Sequence, residues 1–183
     1  MVLMCLIKIS YRLMYTRTVN SSEFKNFMSN VPNCVSIISA LNGENVQACT
    51  VSSFISIDVE VPKTLIVLRN GSRTLSTIKK SKFYSVNLLS KAQNEVASLF
   101  AAKTTKPNVQ LDSLFDKGTN YESPFLKHCL QVCFCKLERI VELENASLVI
   151  GTVLGVDSQV KEMPLIYWSR MYYSLGSRSD ANS

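Results

Sequence analysis

A chain of 183 residues can bury one sizeable core but not two. Its 46% hydrophobic and 19% charged residues are ordinary for a globular protein. The net charge of +6 favours anionic partners, yet the lysines and arginines are scattered and form no nucleic-acid signature, which excludes DNA and RNA.

Residues 1–8 are apolar, but the run is short, its charge follows rather than precedes it, and no small-residue cleavage site appears. It reads neither as a signal peptide nor as a membrane span. Residues 1–20 are expected to be an extension, with Met14 as an alternative start, ahead of one domain at 21–175 and a polar tail at 176–183. A cap-like Ser21 with Phe24, Phe27 and Met28 predicts a short helix covering one end of a barrel. Residues 34–40 form a strand ending in the hairpin pair Asn42-Gly43, and 46–52 form the return strand.

The stretch at 48–58 crowds the hydroxyls of Thr50, Ser52, Ser53 and Ser56 among small and apolar residues, with no lysine or arginine. It reads as a strand end opening into a loop, with Phe54 turned to the core. Such neutral donors and acceptors suit a planar, hydrogen-bond-rich ligand or a phosphate; a Ser/Thr-rich turn with no ligand fits the same residues. Residues 65–68 read as a fully buried strand. After the turn at 69–73, Ser72 caps a helix through Lys80, whose start beside Arg73 suits either a phosphate or plain solvent.

Residues 83–88 form a further strand, and 93–102 a helix with Val96, Leu99 and Phe100 inward. The polar span 103–120 reads as a mobile excursion or lid. Long strands follow at 130–141 and 146–156, with Gly151 and Gly155 marking bulges or close approaches, and residues 164–173 form an aromatic terminal strand. Strands dominate and hairpins join neighbours, so the fold class is mainly β: an antiparallel closed barrel with short peripheral helices. Of six cysteines, Cys129, Cys133 and Cys135 share strand parity and read as one face of core thiols. With a single histidine, His128, no metal site is expected, and reduced thiols point to the cytoplasm.

Five pieces in order carry a resemblance: Pro32 leading a strand, the Asn42-Gly43 turn, the Thr50-Val51-Ser52-Ser53-Phe54-Ile55-Ser56 loop, a Pro62-led strand, and a segment with Phe83, Val86, Asn87 and Gln93 that ends in Leu99-Phe100-Ala101. From about 21 to 175 the chain resembles the flavin reductase-like domain family. The resemblance implies an FMN-binding split barrel, a homodimer with flavin sites near the subunit interface, and NAD(P)H:flavin oxidoreductase activity serving a two-component monooxygenase or another acceptor. FMN is the implied cofactor, with FAD as an alternative. Thr50, Val51, Ser52, Ser53 and Ser56 would line the flavin, Asn33 and Cys34 would present backbone to its ring, and Asn87, Leu88 and Gln93 would close the other side. Each of these has a plain structural alternative as a turn former, core residue or helix-surface residue. Hydride transfer belongs to the cofactor, so no catalytic acid–base residue is expected.

One departure concerns the nicotinamide. Where the family commonly carries Gly-Asp-His, the chain reads Asn145-Ala146-Ser147. Ser147, Arg170 and Tyr172 are the candidates for that side, Arg170 reading equally as an exposed edge-strand residue. The alternative function is an FMN-binding electron carrier, or a degenerate homologue, without NAD(P)H reductase activity.

Overall fold

The computed structural model describes residues 18–102, 109–118 and 120–175. The expected extension lies mostly outside these residues and the polar tail wholly so. Helix α1 (Ser21–Ser29) is capped by Asn20, one residue ahead of the expected serine: its Oδ1 accepts from the Ser22 and Glu23 amides at 3.0 and 2.9 Å, and Glu23 accepts from the Asn20 amide. Then come β1 (Asn33–Cys34), β2 (Ser36–Asn42), β3 (Asn45–Val51), β4 (Ile55–Asp58) and β5 (Lys63–Arg69). Helix α2 (Arg73–Ser81) leads to β6 (Phe83–Leu88), and a 3-10 turn at Lys91–Gln93 leads to α3 (Asn94–Ala101). After α4 (Val109–Asp112), β7 (Phe115–Asp116) and β8 (Phe125–Leu126), two long strands follow, β9 (Gln131–Glu142) and β10 (Ala146–Ser158), and then the hairpin β11 (Leu165–Trp168) and β12 (Met171–Ser174).

Seven strands form one antiparallel sheet in the order β3-β2-β6-β9-β10-β5-β4. Its two edge strands, β3 and β4, are consecutive in the chain and joined by residues 52–54 alone. Laid flat, seven strands would separate the edges by about 29 Å. The connector, extended from Val51 to Ile55, reaches only about 14 Å. The sheet therefore curls until its edges meet, and Ser53 stitches the join: its hydroxyl accepts from the Val67 amide at 3.1 Å and donates to the Val67 carbonyl at 3.2 Å. The expected split barrel is present.

Both sheet faces are covered. One core gathers Ile38, Ile66, Leu68, Leu75, Ile78, Tyr84 and Val149; the other gathers Ile37, Leu89, Phe100, Phe115, Leu126, Val132 and Phe134 beneath α3 and β7–β8. This two-sided packing corrects several expectations. Cys129 packs with the second group and Cys135 with the first, because Cys129 precedes β9 and does not share its pleat. In β5 only Ile66 and Leu68 of the 65–68 run are buried, since Leu65 and Val67 point to the less covered face. In α3, Ala97 is buried with Phe100 while Leu99 is 40% exposed. The excursion at 103–120 is packed at its far end, where Phe115 is buried and Leu111 and Leu114 lie against the same core; 103–108 and 119 fall outside the described residues. The terminal aromatic strand is a hairpin turning at Ser169 and Arg170, both with positive φ. Helix α1 buries nothing: Phe24 and Phe27 are 58% and 67% exposed, so within one chain it caps no barrel end.

The two strand glycines are close-approach points, as expected, and the β9–β10 register shifts beside each. A Cβ on Gly155 would fall on the Tyr121 ring, which stacks on Phe134. A Cβ on Gly151 would fall on the Tyr84 hydroxyl and lie 2.9 and 3.0 Å from its ring carbons Cζ and Cε1. Tyr84 is wholly buried, beside Thr64 and Cys135, and burial holds its ionisation well above the ordinary tyrosine value. Gly151→Ala is therefore expected to destabilise the fold by about 1–3 kcal/mol through overpacking. Adding Tyr84→Phe should recover only part of the loss, since the ring carbons remain. Urea unfolding of the two single variants and the double variant measures this coupling.

Candidate functional site

A cavity of about 570 Å³ opens along β3, within the size range of small-molecule sites. Its walls are residues 46–53, Val67 to Arg69, Gly71 to Thr74, the C-terminal end of α3 at Phe100 to Ala102, and Leu111, Asp112 and Phe115. The position follows from topology. As an edge strand, β3 pairs only with β2, so its other row of N–H and C=O groups lies along the cavity. One of them is taken: Asp112 accepts from the Val46 amide at 3.3 Å, while Lys117 bridges Asp112 at 2.8 Å and donates to the Glu44 carbonyl.

A second wall is the β5–α2 turn. Gly71 takes φ 76°, which lets the chain reverse there without a side-chain clash. Ser72 caps α2 by accepting from the Leu75 amide at 3.2 Å. Arg69 and Arg73 bring positive charge to this wall, beside the positive end of the α2 dipole. Phe100, Phe115 and Leu111 make an apolar end. Burial pushes the Cys49 thiol up, only partly offset by Thr74, so Cys49 contributes a neutral wall and not a thiolate. The cavity thus offers in-plane backbone partners, apolar surface and a cationic end. That donor set fits a flavin: a planar heterocycle with polar edges and a chain ending in phosphate.

Of the ten residues expected to touch flavin, Thr50, Val51, Ser52 and Ser53 line this cavity. Two of their hydroxyls are engaged in the protein: Thr50 donates to the Ala97 carbonyl at 2.7 Å, and Ser53 holds Val67. Ser52 is exposed and lines the cavity. Ser56 lies outside it on exposed β4. Asn33 and Cys34 pair with Tyr167 and Ile166 in the small sheet, and Leu88 is a ladder residue between Ser36 and Gln131; none of the three lines the cavity.

Asn87 and Gln93 are fixtures of the core. Asn87, wholly buried, donates to the Ile37 carbonyl at 2.8 Å and the Ser39 hydroxyl at 3.0 Å, and accepts from the Leu126 amide at 2.8 Å. Gln93 accepts from the Ser90 amide at 3.1 Å and donates to the Lys127 carbonyl at 3.3 Å. On the nicotinamide side, Ser147 is wholly buried and donates to Asn70 at 2.7 Å, Arg170 sits at the β11–β12 turn, and the half-buried Tyr172 packs on Tyr167 with ring centroids 5.4 Å apart. These three are apart from the cavity walls. The sequence reading missed Arg69, Thr74, Asp112 and the end of α3 as walls. Arg69 was legible as a cation between a strand end and a capped helix, whereas Asp112 reaches the site only through tertiary packing.

The sequence profile described as "flavin reductase like domain" matches residues 28–176. The 4-hydroxyphenylacetate 3-monooxygenase reductase component of Thermus thermophilus is 24% identical over 152 residues, covering 83% of this chain and 95% of that protein. An FMN reductase (NADH), RutF, of an Enterobacter species is 22% identical over 158 residues, covering 86% and 96%. The solved structure of the flavin reductase PheA2 superposes with a TM-score of 0.77 at 26% identity, over 87% of this chain and all of that one. With a profile spanning most of the chain and a barrel that builds its cavity from the loop carrying the resemblance, the chain belongs to the flavin reductase-like domain family.

Proposed function

We propose that the chain is an NAD(P)H:flavin oxidoreductase that binds FMN, or FAD, in the β3 cavity and supplies reduced flavin to a partner enzyme. The observation that carries the reading is the pairing of an open edge strand with a cationic turn across one cavity. A bound flavin would supply the hydride-accepting chemistry, which leaves the protein to bind, orient and exclude water. The β3 backbone and Ser52 would offer hydrogen-bond partners to the flavin, Phe100 and Phe115 would offer apolar surface that excludes water, and Arg69 and Arg73 would hold the phosphate. Among the titratable residues lining the cavity, Asp112 is held by Lys117 and Cys49 stays neutral, in keeping with chemistry that needs no protein acid or base.

The name of the Thermus relative supports a monooxygenase as the partner that consumes reduced flavin. No helix among the described residues is long and apolar enough to cross a membrane. The cysteines among them are unbridged, which supports a reducing, cytoplasmic setting. A homodimer is supported by edge strand β4 and the turn after it, where Ile55, Ile57, Val59 and Val61 are 54%, 44%, 78% and 55% exposed. A second reading, a flavin carrier without nicotinamide turnover, draws on one observation: Ser147, at the place of the family's histidine, is buried and bonded to Asn70.

Anaerobic addition of NADH or NADPH to the purified protein with FMN is expected to bleach the flavin absorbance over many turnovers. A bound flavin that stays oxidised with both would instead establish the carrier. Ser52→Val is expected to weaken FMN binding about 2- to 12-fold, the worth of one hydrogen bond, measured by fluorescence titration. Ile57→Lys on exposed β4 is expected to shift sedimentation from dimer to monomer, while an unchanged dimer would place the interface elsewhere.

A further inference from the structure

The turn that forms the cationic wall of the cavity is held from behind by one side chain. Asn70 lies between Arg69 and Gly71, at the end of β5. Its Nδ2 donates to the Leu143 and Glu144 carbonyls at 2.8 and 3.2 Å, and its own amide donates to the Asn145 carbonyl at 3.2 Å. Its Oδ1 accepts from the Ser147 hydroxyl at 2.7 Å. One asparagine thus gathers three successive carbonyls of the β9–β10 turn and a hydroxyl from the start of β10, extending a ladder in which Arg69 pairs with Ala146 and Leu68 with Ser147. Ser147 has no exposed surface, so its hydroxyl is committed to Asn70.

Resting on the reading of this cavity as a flavin site, we propose that Asn70 and Ser147 are positioning residues for the flavin phosphate. Neither lines the cavity. They lock residues 69–73 to the β9–β10 turn, so that Arg69 and Arg73 hold their places across from β3 before any ligand arrives. The turn is the part of the wall that most needs this. It contains a glycine at φ 76° and two long cationic side chains, and α2 begins only at Arg73. A wall ordered in advance spares the ligand the entropy of ordering it. The departure at residues 145–147 then has a use: the segment where the family commonly places a histidine serves the phosphate end from the second layer.

The test compares FMN with riboflavin, which lacks only the phosphate. The wild-type protein is expected to show a lower KM for FMN than for riboflavin. Ser147→Ala and Asn70→Ala are expected to raise the Kd for FMN, read by fluorescence titration without nicotinamide, and the KM for FMN by about 3- to 10-fold, leaving kcat and the riboflavin constants near their wild-type values. Ser147→Ala removes one hydrogen bond and no ladder partner, so it reports even where Asn70→Ala folds poorly. Equal losses for both flavins, or a fall in kcat alone, would reduce the pair to a structural brace and overturn the proposal. A wild-type protein that reduces both flavins with one KM would instead remove the phosphate from this wall, and the proposal with it. Absence of any flavin turnover or binding in the wild type would sink the reading on which both rest.

Discussion

The short join between β3 and β4 dictates the rest of the molecule. Two strands on opposite edges of a seven-stranded sheet are separated by three residues, so the sheet has no choice but to close. Closure is incomplete because β3 and β4 meet end to end and not side by side. Where they diverge, β3 keeps an unpaired row of backbone groups, and the cavity lies along that row. The loop is therefore corner, join and cavity wall together. Its small hydroxyl residues suit all three tasks: Ser53 supplies the cross-link to Val67, Thr50 ties α3 in place, and neither adds bulk that would keep the edges apart.

The same economy governs the buried polar groups elsewhere. Asn87, Ser39 and the Pro124 carbonyl form a chain of bonds under β8, and Ser85 meets Ser123 at 2.8 Å. These groups sit where a short segment with few hydrogen bonds of its own must be anchored to the sheet. A hydroxyl or amide buried at 0% exposure costs free energy unless it is satisfied; Asn87 and Ser39 answer backbone groups, and Ser85 and Ser123 answer each other. The polarity of the second core thus fastens β8 to the sheet.

This explains what the sequence did and did not disclose. Strand alternation, the Asn42-Gly43 turn, the Ser72 cap and the close approaches at Gly151 and Gly155 are local or depend on nearest strands, and they were legible. Phe54, expected to turn inward, does pack on a core. The allocation of Asn87, Gln93 and Ser147 was not legible, because an asparagine on a strand has the same parity whether it faces ligand or a distant carbonyl. Leu99 was misplaced for a related reason. Helical periodicity names an apolar stripe, but the stripe of α3 that counts is set by where β3 and β7 lie, and that favours Ala97. Asp112 became a wall residue only once β3 and the segment after α3 were brought together.

The pairing of β5 with β10 also bears on how the chain is made. The ladder runs from Arg69 with Ala146 to Lys63 with Thr152, so β5 leaves the ribosome some eighty residues before the strand that covers it. At ordinary synthesis rates that interval is about 4–16 s. During it β5 carries one neighbour, the short and exposed β4, and presents Ile66 and Leu68 with no sheet across them. Until β10 is made, the far edge of β5 is a row of unpaired backbone groups that other chains could join. The helix α2 follows β5 at once and buries Leu75 and Ile78 in the same core, to which β2, made earlier, adds Ile38 and Ala40. Formed early from its Ser72 cap, α2 would shield the half-made barrel as well as completing the finished one.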